Sequence, residues 1–432
     1  MTLTANFAPA RRGLQGVLVA PADKSISHRA ALLGAACEGE LRIAGYLRAA
    51  DTDATLDAIR ALGAEVHADG SEVRIRGVGL RGAHEPADVI DVRNSGTLLR
   101  LLPGWLAGQE GRRFTLDGDA SIRRRPIDRI AEPLRAMGAQ LEAERLPPFS
   151  ILGAALHGVT YALPVASAQV KSCVLLAGLL ADGETTVVEP LPSRDHTERL
   201  MLRAGVSVTR RGPRITVRPA APTALDELTV PGDPSSAAFW AAAATLIPGS
   251  HVIVEGVGAN WTRNGFVAIA RRMGARIVGE IELPSSPLSP DDPITTLEIS
   301  SSPLQGTVVE PDEVPLAIDE LPLVALLGCF ADGETVVRGA QELRVKESDR
   351  IASVVEGLRA LGGEIEATAD GFVVAGTGGL EGGQISSHGD HRLAMLGAIA
   401  GLASRRGVEV EGIDSVHVSY PTFAADLARL AT

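Results

Sequence analysis

The stretch CVLLAGLLADGETTVVEPLPSRDHTERLMLRAGVSV, residues 173–208, holds the centre of one structural unit. It opens on CVLLAGLLA, which wound into a helix is apolar on every side and therefore has to be buried. Gly183 ends that run, and the β-branched TTVV behind it reads as a strand. LMLRAGVSV then gives an amphipathic helix that stops at a glycine before a new strand. A unit of this kind cannot cover its own buried helix, so neighbouring copies are required.

The copies are present. A glycine followed by a short β-rich run recurs as GELRIAG from Gly39, GRRFTLDG from Gly111, GETTVVEP from Gly183, GSHVIVEG from Gly249, GETVVRG from Gly333 and GVEVEG from Gly407. Each is preceded by an apolar helix and followed by an amphipathic one, which predicts an α/β fold of two domains, each of three βαβαββ-type repeats with buried inner helices. The domains are expected at 21–230, and at 1–20 with 231–432. The link falls near Ala221 to Pro231, and the returning N-terminal segment makes a second crossing near Ala20. The sixth copy lacks its final strands, and the spare piece LQGVLVA, Leu14–Ala20, is expected to cross over and complete the second domain. The Pro- and Ser-rich stretch from Glu282 to Pro293 reads as a surface loop.

Composition narrows the function. The 432 residues include 47 glycines but only 3% aromatics, which favours tight turns and close helix packing over base-stacking surfaces. A formal net charge of -12 argues against nucleic acid or an anionic membrane as partner. No apolar run approaches the roughly 20 residues of a membrane span, and the N-terminus lacks a signal-peptide core, so a cytoplasmic protein is expected. Cys37, Cys173 and Cys329 are far apart in apolar segments and read as buried free thiols. Of 41 basic residues only Lys24, Lys171 and Lys346 are lysine, and the other 38 are arginine. A lysine that survives such a bias is a candidate for a place where a planar, permanently charged fork would fail, with chance survival as the alternative.

Polar chemistry collects at the starts of the buried helices: ADKSISHR (22–29), RNSGT (93–97), SAQ (167–169), PGDPSS (231–236), IDELP (318–322) and HGDHR (388–392). Helix N-termini present unpaired N–H groups and partial positive charge, so small polar residues there either cap the helix or cradle an anion. PGDPSS has the chemistry of a cap, whereas Lys24, Ser25, His28 and Arg29 exceed what one cap needs. Arg123 and Arg124 read as a solvated face, while Pro126 directs Arg125. Lys346, Glu347, Asp349 and Arg350 bunch in ELRVKESDRI. No HExxH, CxxC, GxxxxGK[ST] or strand-linked GxGxxG occurs, so no metal or cofactor is expected. The set suits small substrates carrying phosphate and carboxylate, with side chains moving the protons.

These segments, read together as DKSISHR, NSGTLLR, RRRPIDR, SAQVKS, SRDHTE, IDELP, LRVKESDR and GDHRLAM, resemble the enolpyruvylshikimate phosphate synthase family over the whole chain. The resemblance implies an inside-out barrel in each of two domains that close over the substrates, with the active site in the interdomain cleft. The implied reaction moves the enolpyruvyl group of phosphoenolpyruvate to the 5-hydroxyl of shikimate 3-phosphate and releases phosphate by addition and elimination. It implies that Lys24, Ser25, Arg29, Ser167, Ala168, Gln169, Arg194, Asp319 and Lys346 hold shikimate 3-phosphate. Phosphoenolpyruvate falls to Lys24, Gly96, Arg125, Gln169, Arg350 and Arg392. Asp319 is the implied base for the 5-hydroxyl, Glu347 the group that protonates and later deprotonates the methylene carbon, and Lys24 is counted with them as catalytic. Asn94, Arg100 and His391 line the site, and Lys171 receives no role. The enzyme is expected to be a monomer.

Ala22, Ala168, Leu101 and Val418 depart from the common family pattern, Val418 standing where some members bind phosphoenolpyruvate through a lysine. His417 is adjacent, but on a strand it points the other way. Two alternatives remain at this level. The sister family acting on UDP-N-acetylglucosamine usually carries a reactive cysteine in a first-domain loop, and 111–126 has none. A non-catalytic repeat scaffold leaves the Lys, Asp and Glu at nonequivalent repeat positions unexplained.

Overall fold

Helices with no polar face can only lie inside, and six of them do. A computed structural model describes residues 3–142, 145–223 and 225–431; Ala224, in the expected link, lies outside them. The chain divides into two compact units. The first is Ala22–Pro231 with Ser285–Asp292; the second holds the residues up to Pro21, Gly232–Pro284 and those from Pro293 onward. The first unit contains α1 (Lys24–Ala36), α2 (Ala50–Ala61), α3 (Gly96–Leu106), α4 (Asp128–Ala136), α5 (Ala168–Gly178) and α6 (His196–Arg203). The second contains α7 (Pro234–Leu246), α8 (Gly265–Arg272), the short α9 (Val314–Ala317), α10 (Leu321–Phe330), α11 (Arg350–Ala360), α12 (His391–Ala403) and α13 (Phe423–Ala431). Helices α1, α3 and α5 form the core of the first unit, and α7, α10 and α12 that of the second.

The sheets wrap these helices in a repeated pattern. In the copy around α3, Ile90–Asp91 runs parallel to Arg113–Asp117, which pairs antiparallel with Phe149–Leu152, and that strand pairs with Gln140–Glu142. With α3 and α4 between them these strands make one βαβαββ unit, and the fold is mixed α/β as the periodicity indicated. The leading strands are exchanged at the crossings. Glu227–Thr229, just before α7, pairs with Glu40–Ala44 of the first copy, while Gln15–Val19, just before α1, pairs with His251–Gly258 of the fourth.

The spare strand does cross over into the second unit. LQGVLVA supplies the leading strand of the fourth copy, and the sixth is completed by Thr4–Phe7, antiparallel to Val408–Glu411. The pattern within LQGVLVA marked a strand but carried no information about its partner. The Pro- and Ser-rich excursion is largely exposed, as expected of a surface loop, but part of it departs from the expected domain bounds. Its residues Ser285–Asp292 belong with the first unit, where Leu288 packs on the core and Asp292 meets His196.

Few aromatics are available, and those of the second unit are concentrated. Trp240 on α7 stacks on Phe423 at 5.1 Å between centroids, and its Nε1–H donates to the Tyr420 hydroxyl at 2.8 Å. That contact fixes the C-terminal helix against the core. Glycine does the equivalent work between α3 and α5. A methyl group added at Gly104 would overlap the backbone carbonyl of Cys173, so the close approach of the two helices depends on its absence. Gly104→Ala should cost about 1–3 kcal/mol, the usual scale of overpacking. Urea denaturation reads this directly, and an unchanged midpoint would show that the two helices have slack.

Candidate active site

In the first unit the polar groups gather where three inner helices begin. Asp23 caps α1 by accepting from the Ile26 N–H at 2.8 Å, which leaves Lys24 and Ser25 in the first turn. Lys24 Nζ meets Asp51 Oδ2 of α2 at 2.8 Å, with the lysine side chain 15% exposed and the carboxylate 6%. The pairing holds the ammonium in one place while leaving part of it open to solvent. Arg29 is buried and turns inward, donating to the Ser25 carbonyl, the Ser172 hydroxyl and the Thr197 hydroxyl. It ties α1, α5 and α6 together. Arg194 donates to Ser25 Oγ at 3.2 Å, so the SRDHTE segment and α1 meet at that serine.

Ser167 caps α5, and the half-buried Ala168 and Gln169 follow. The Gln169 amide is fixed at both ends, accepting from Arg100 at 2.9 Å and donating to Thr97 at 3.1 Å. Gly96 opens α3, and a methyl there would overlap the Arg125 guanidinium. That guanidinium thus lies against the bare backbone of a helix start, a favourable place for an anion. Arg125 itself is buried and extended ahead of Pro126, whereas Arg123 and Arg124 are exposed. Asn94 donates to Asp119, whose other carboxylate oxygen accepts from the Ser121 and Ile122 N–H groups. Asn94 therefore anchors the loop that carries Arg125.

In the second unit a single buried guanidinium organises the site. Arg350 donates through Nη1 to Asp319 at 2.9 Å, through Nη2 to Glu347 at 2.6 Å and through Nε to Asp390 at 2.8 Å. Burial by itself disfavours the charge, but Asp390, Glu347 and Asp319 more than offset that and raise the guanidinium pKa. Asp390 is fully buried as well, yet Arg350 holds it below the usual carboxylate range. It also caps α12 by accepting from the Arg392 N–H. Lys346 Nζ reaches Asp319 at 3.4 Å, and Arg392 approaches Asp319 at 3.6 Å and Glu320 at 3.5 Å. His391 is buried at the first position of α12.

The pattern of the EPSP synthase (3-phosphoshikimate 1-carboxyvinyltransferase) family matches residues 9–427. The chain belongs to the EPSP synthase family. A 3-phosphoshikimate 1-carboxyvinyltransferase of Roseiflexus sp. (strain RS-1) is 47% identical over 424 residues, covering 97% of each chain. One from Thermus thermophilus is 47% identical over 421 residues, covering 96% of each. An EPSP synthase structure from Acinetobacter baumannii superposes with a TM-score of 0.86 at 41% identity, over 100% of this chain and 98% of that one. The enolpyruvyl transferase NikO from Streptomyces tendae, at 18% identity, has a TM-score of 0.77 over 99% of this chain and 97% of its own. It shares the fold.

Among the residues the EPSP synthase motifs single out, three readings change. His28 is no part of an exposed basic set: it is fully buried, its Nδ1 on Thr55 Oγ1 at 2.6 Å. The segment around Val418 is a 3-10 helix, Ile413–Val418, so the strand argument that turned His417 away does not apply. Lys171, which received no role, is a buried cation between two glutamates. Asp51, Asp390 and Glu320 were missed as partners. Asp390 stood inside a quoted motif, and its position two residues before Arg392 was the available signal. Glu320 stood inside the quoted IDELP, next to Asp319, and Asp51 had no signal beyond its place near a helix start. Asp195, His196 and Asp292 bring three possible metal-ligand atoms within 4.8 Å of one another, but Arg199 already donates to Asp195 at 2.9 Å and lies 3.9 Å from Asp292.

Burial first, then the Lys24 and Arg29 charges, holds the His28 imidazole well below its ordinary pKa of 6.5. The folded protein keeps it neutral, so below pH 6.5 the unfolded chain takes up a proton that the folded one refuses, and stability falls with pH. Between pH 7.0 and 5.5 this one group should cost about 1 kcal/mol. The stability gap between wild type and His28→Gln should shrink by that amount in urea titrations at the two pH values. A pH-independent gap would mean that the imidazole is protonated in place.

Proposed function

We propose that the two clusters serve the one reaction of this 3-phosphoshikimate 1-carboxyvinyltransferase, the transfer of enolpyruvyl from phosphoenolpyruvate to shikimate 3-phosphate. Ser25, Ser167, Ala168, Gln169 and Arg194 take the shikimate phosphate and ring, with Arg29 bracing them and Lys346 and Asp319 reaching the same substrate. Arg125 over Gly96, with Arg350, Arg392 and Gln169, takes the carboxylate and phosphate of phosphoenolpyruvate. Lys24 serves both substrates. The observation that carries the reading is the shared cation: Arg350 fixes Asp319 and Glu347, so a base and an acid are held in register by one rigid fork.

The 5-hydroxyl oxygen bonds to the central carbon of phosphoenolpyruvate as Asp319 accepts the hydroxyl proton and Glu347 protonates the methylene carbon. The tetrahedral adduct then expels phosphate while Glu347 removes a proton from the new methyl group, restoring the double bond. Lys346 and Arg392 lie 3.4 and 3.6 Å from the Asp319 carboxylate. Four of the five Arg350 N–H donors are engaged by Asp390, Glu347 and Asp319, so one remains for a substrate oxygen. One chain supplies every residue named, in line with a monomer. Three buried free thiols, Cys37 pushed up to about 11 by burial, accord with a reducing cytoplasm.

Phosphate should appear only when both substrates are supplied, and protein treated with EDTA should keep full turnover. Activity that an added divalent ion must restore would overturn the reading. Glu347→Gln should lower kcat by about 10² or more, the usual scale for a lost general acid or base, with both KM values little changed. Unaltered turnover would remove Glu347 from the chemistry.

A further inference from the structure

Lys171 is the one lysine without a part in the reaction, and its surroundings are unusual for a cation. It lies one turn into α5, and its side chain is 1% exposed. Its ammonium group meets Glu198 Oε1 at 2.7 Å, Glu189 Oε1 at 3.1 Å and the Ser193 carbonyl at 3.3 Å. These acceptors bracket Arg194: Glu189 and Ser193 come before it in the chain and Glu198 after it. The Ser193 hydroxyl closes the ring by donating to Glu189. On the other side of the loop Asp195 is bound by Arg199 at 2.9 Å and His196 by Asp292 at 3.1 Å. Nearly every side chain from Ser193 to Glu198 is thus buried, and Arg194 is the half-buried exception that leaves the loop towards Ser25.

We propose that Lys171 is a positioning residue: it sets the distance between the start of α5 and the Arg194 loop, and so the spacing of the shikimate 3-phosphate contacts. The inference rests on the assignment of Arg194, Ser167 and Gln169 to that substrate. Helix α5 presents Ser167–Gln169 at its first turn and, one turn later, the ammonium that fixes Arg194. A displacement of the loop separates the two groups that hold one phosphate.

The chemistry also explains why this position is lysine in an arginine-rich chain. An ammonium carries three donors in a tetrahedral arrangement, and three acceptors converge on it here. A guanidinium spreads its donors over a wide plane and cannot point three of them at one centre in a closed space. Burial opposes the charge, yet Glu189 and Glu198 raise the lysine pKa, so it is held as a cation.

The test is steady-state kinetics with each substrate varied in turn. Lys171→Met and Lys171→Arg should each raise KM for shikimate 3-phosphate about tenfold or more, while kcat and KM for phosphoenolpyruvate move less than threefold. Since Lys171→Met leaves two buried carboxylates without their cation and endangers folding, Lys171→Met/Glu198→Gln keeps the local charge balance and is read in the same way. Combined with Arg194→Gln, the Lys171→Met/Glu198→Gln changes should add less than twofold, because both act on one contact. An unmoved KM for shikimate 3-phosphate in the folded variants overturns the inference, as does a parallel shift of all three parameters. Wild-type kinetics in Lys171→Arg would show that charge alone suffices and overturn the geometric argument. If Arg194→Gln itself leaves that KM unchanged, the phosphate-site assignment fails first; if it raises KM and the Lys171 variants do not, only the positioning role fails.

Discussion

A helix that is apolar all round has to be surrounded, and six such helices dictate this molecule. Sheets of βαβαββ units close around α1, α3 and α5 in one unit and around α7, α10 and α12 in the other. Once their sides are buried, the helix ends are the places left where polar groups can meet a solute. Each end already offers N–H groups and positive potential, so anion recognition follows from the packing solution itself. The EPSP synthase reaction uses two small anions, and the residues proposed for it sit at those ends.

Burial then decides how the charged residues behave. Arg350, Lys171 and Arg199 are each about 1% exposed, a position that costs several kcal/mol per ion unless partners compensate. Each has at least two carboxylates around it. The pairing converts a flexible charge into a fixed one: Arg350 holds Asp319 and Glu347, and Lys171 and Arg199 hold the two sides of the loop bearing Arg194. Lys24 is the contrast. It is tied to Asp51 yet partly exposed. The arginine bias of the chain makes the distinction visible, since lysine persists where a compact, three-donor cation is needed.

Some of this was legible from residues alone. The recurrence of glycine and β-rich runs gave the repeat, because hydrophobic periodicity is local and each copy writes it again. The helix-start motifs named most residues of the proposed site, since a cap and an anion cradle both need small polar side chains within one turn. The reading stopped where a partner had to be decided. LQGVLVA was recognised as a strand that crosses over to the second domain, but not which copy it joins, because alternation marks a face and not a neighbour. His28, one turn after Lys24 and adjacent to Arg29 in sequence, is fully buried against Thr55, a contact made with a helix 27 residues away that no local pattern marks.

The sequence by itself determined the elements, the inner helices and the concentration of basic groups at helix starts, all set by interactions within a few residues. Only the tertiary structure decided which charge meets which. Lys24 finds Asp51, Arg194 finds Ser25 169 residues away, and Arg350 gathers Asp319 and Asp390 from segments 31 and 40 residues distant. Such pairings have no period and no spacing rule. They exist because low-dielectric burial makes an uncompensated ion costly, and which partner lies in reach is fixed when the repeats pack.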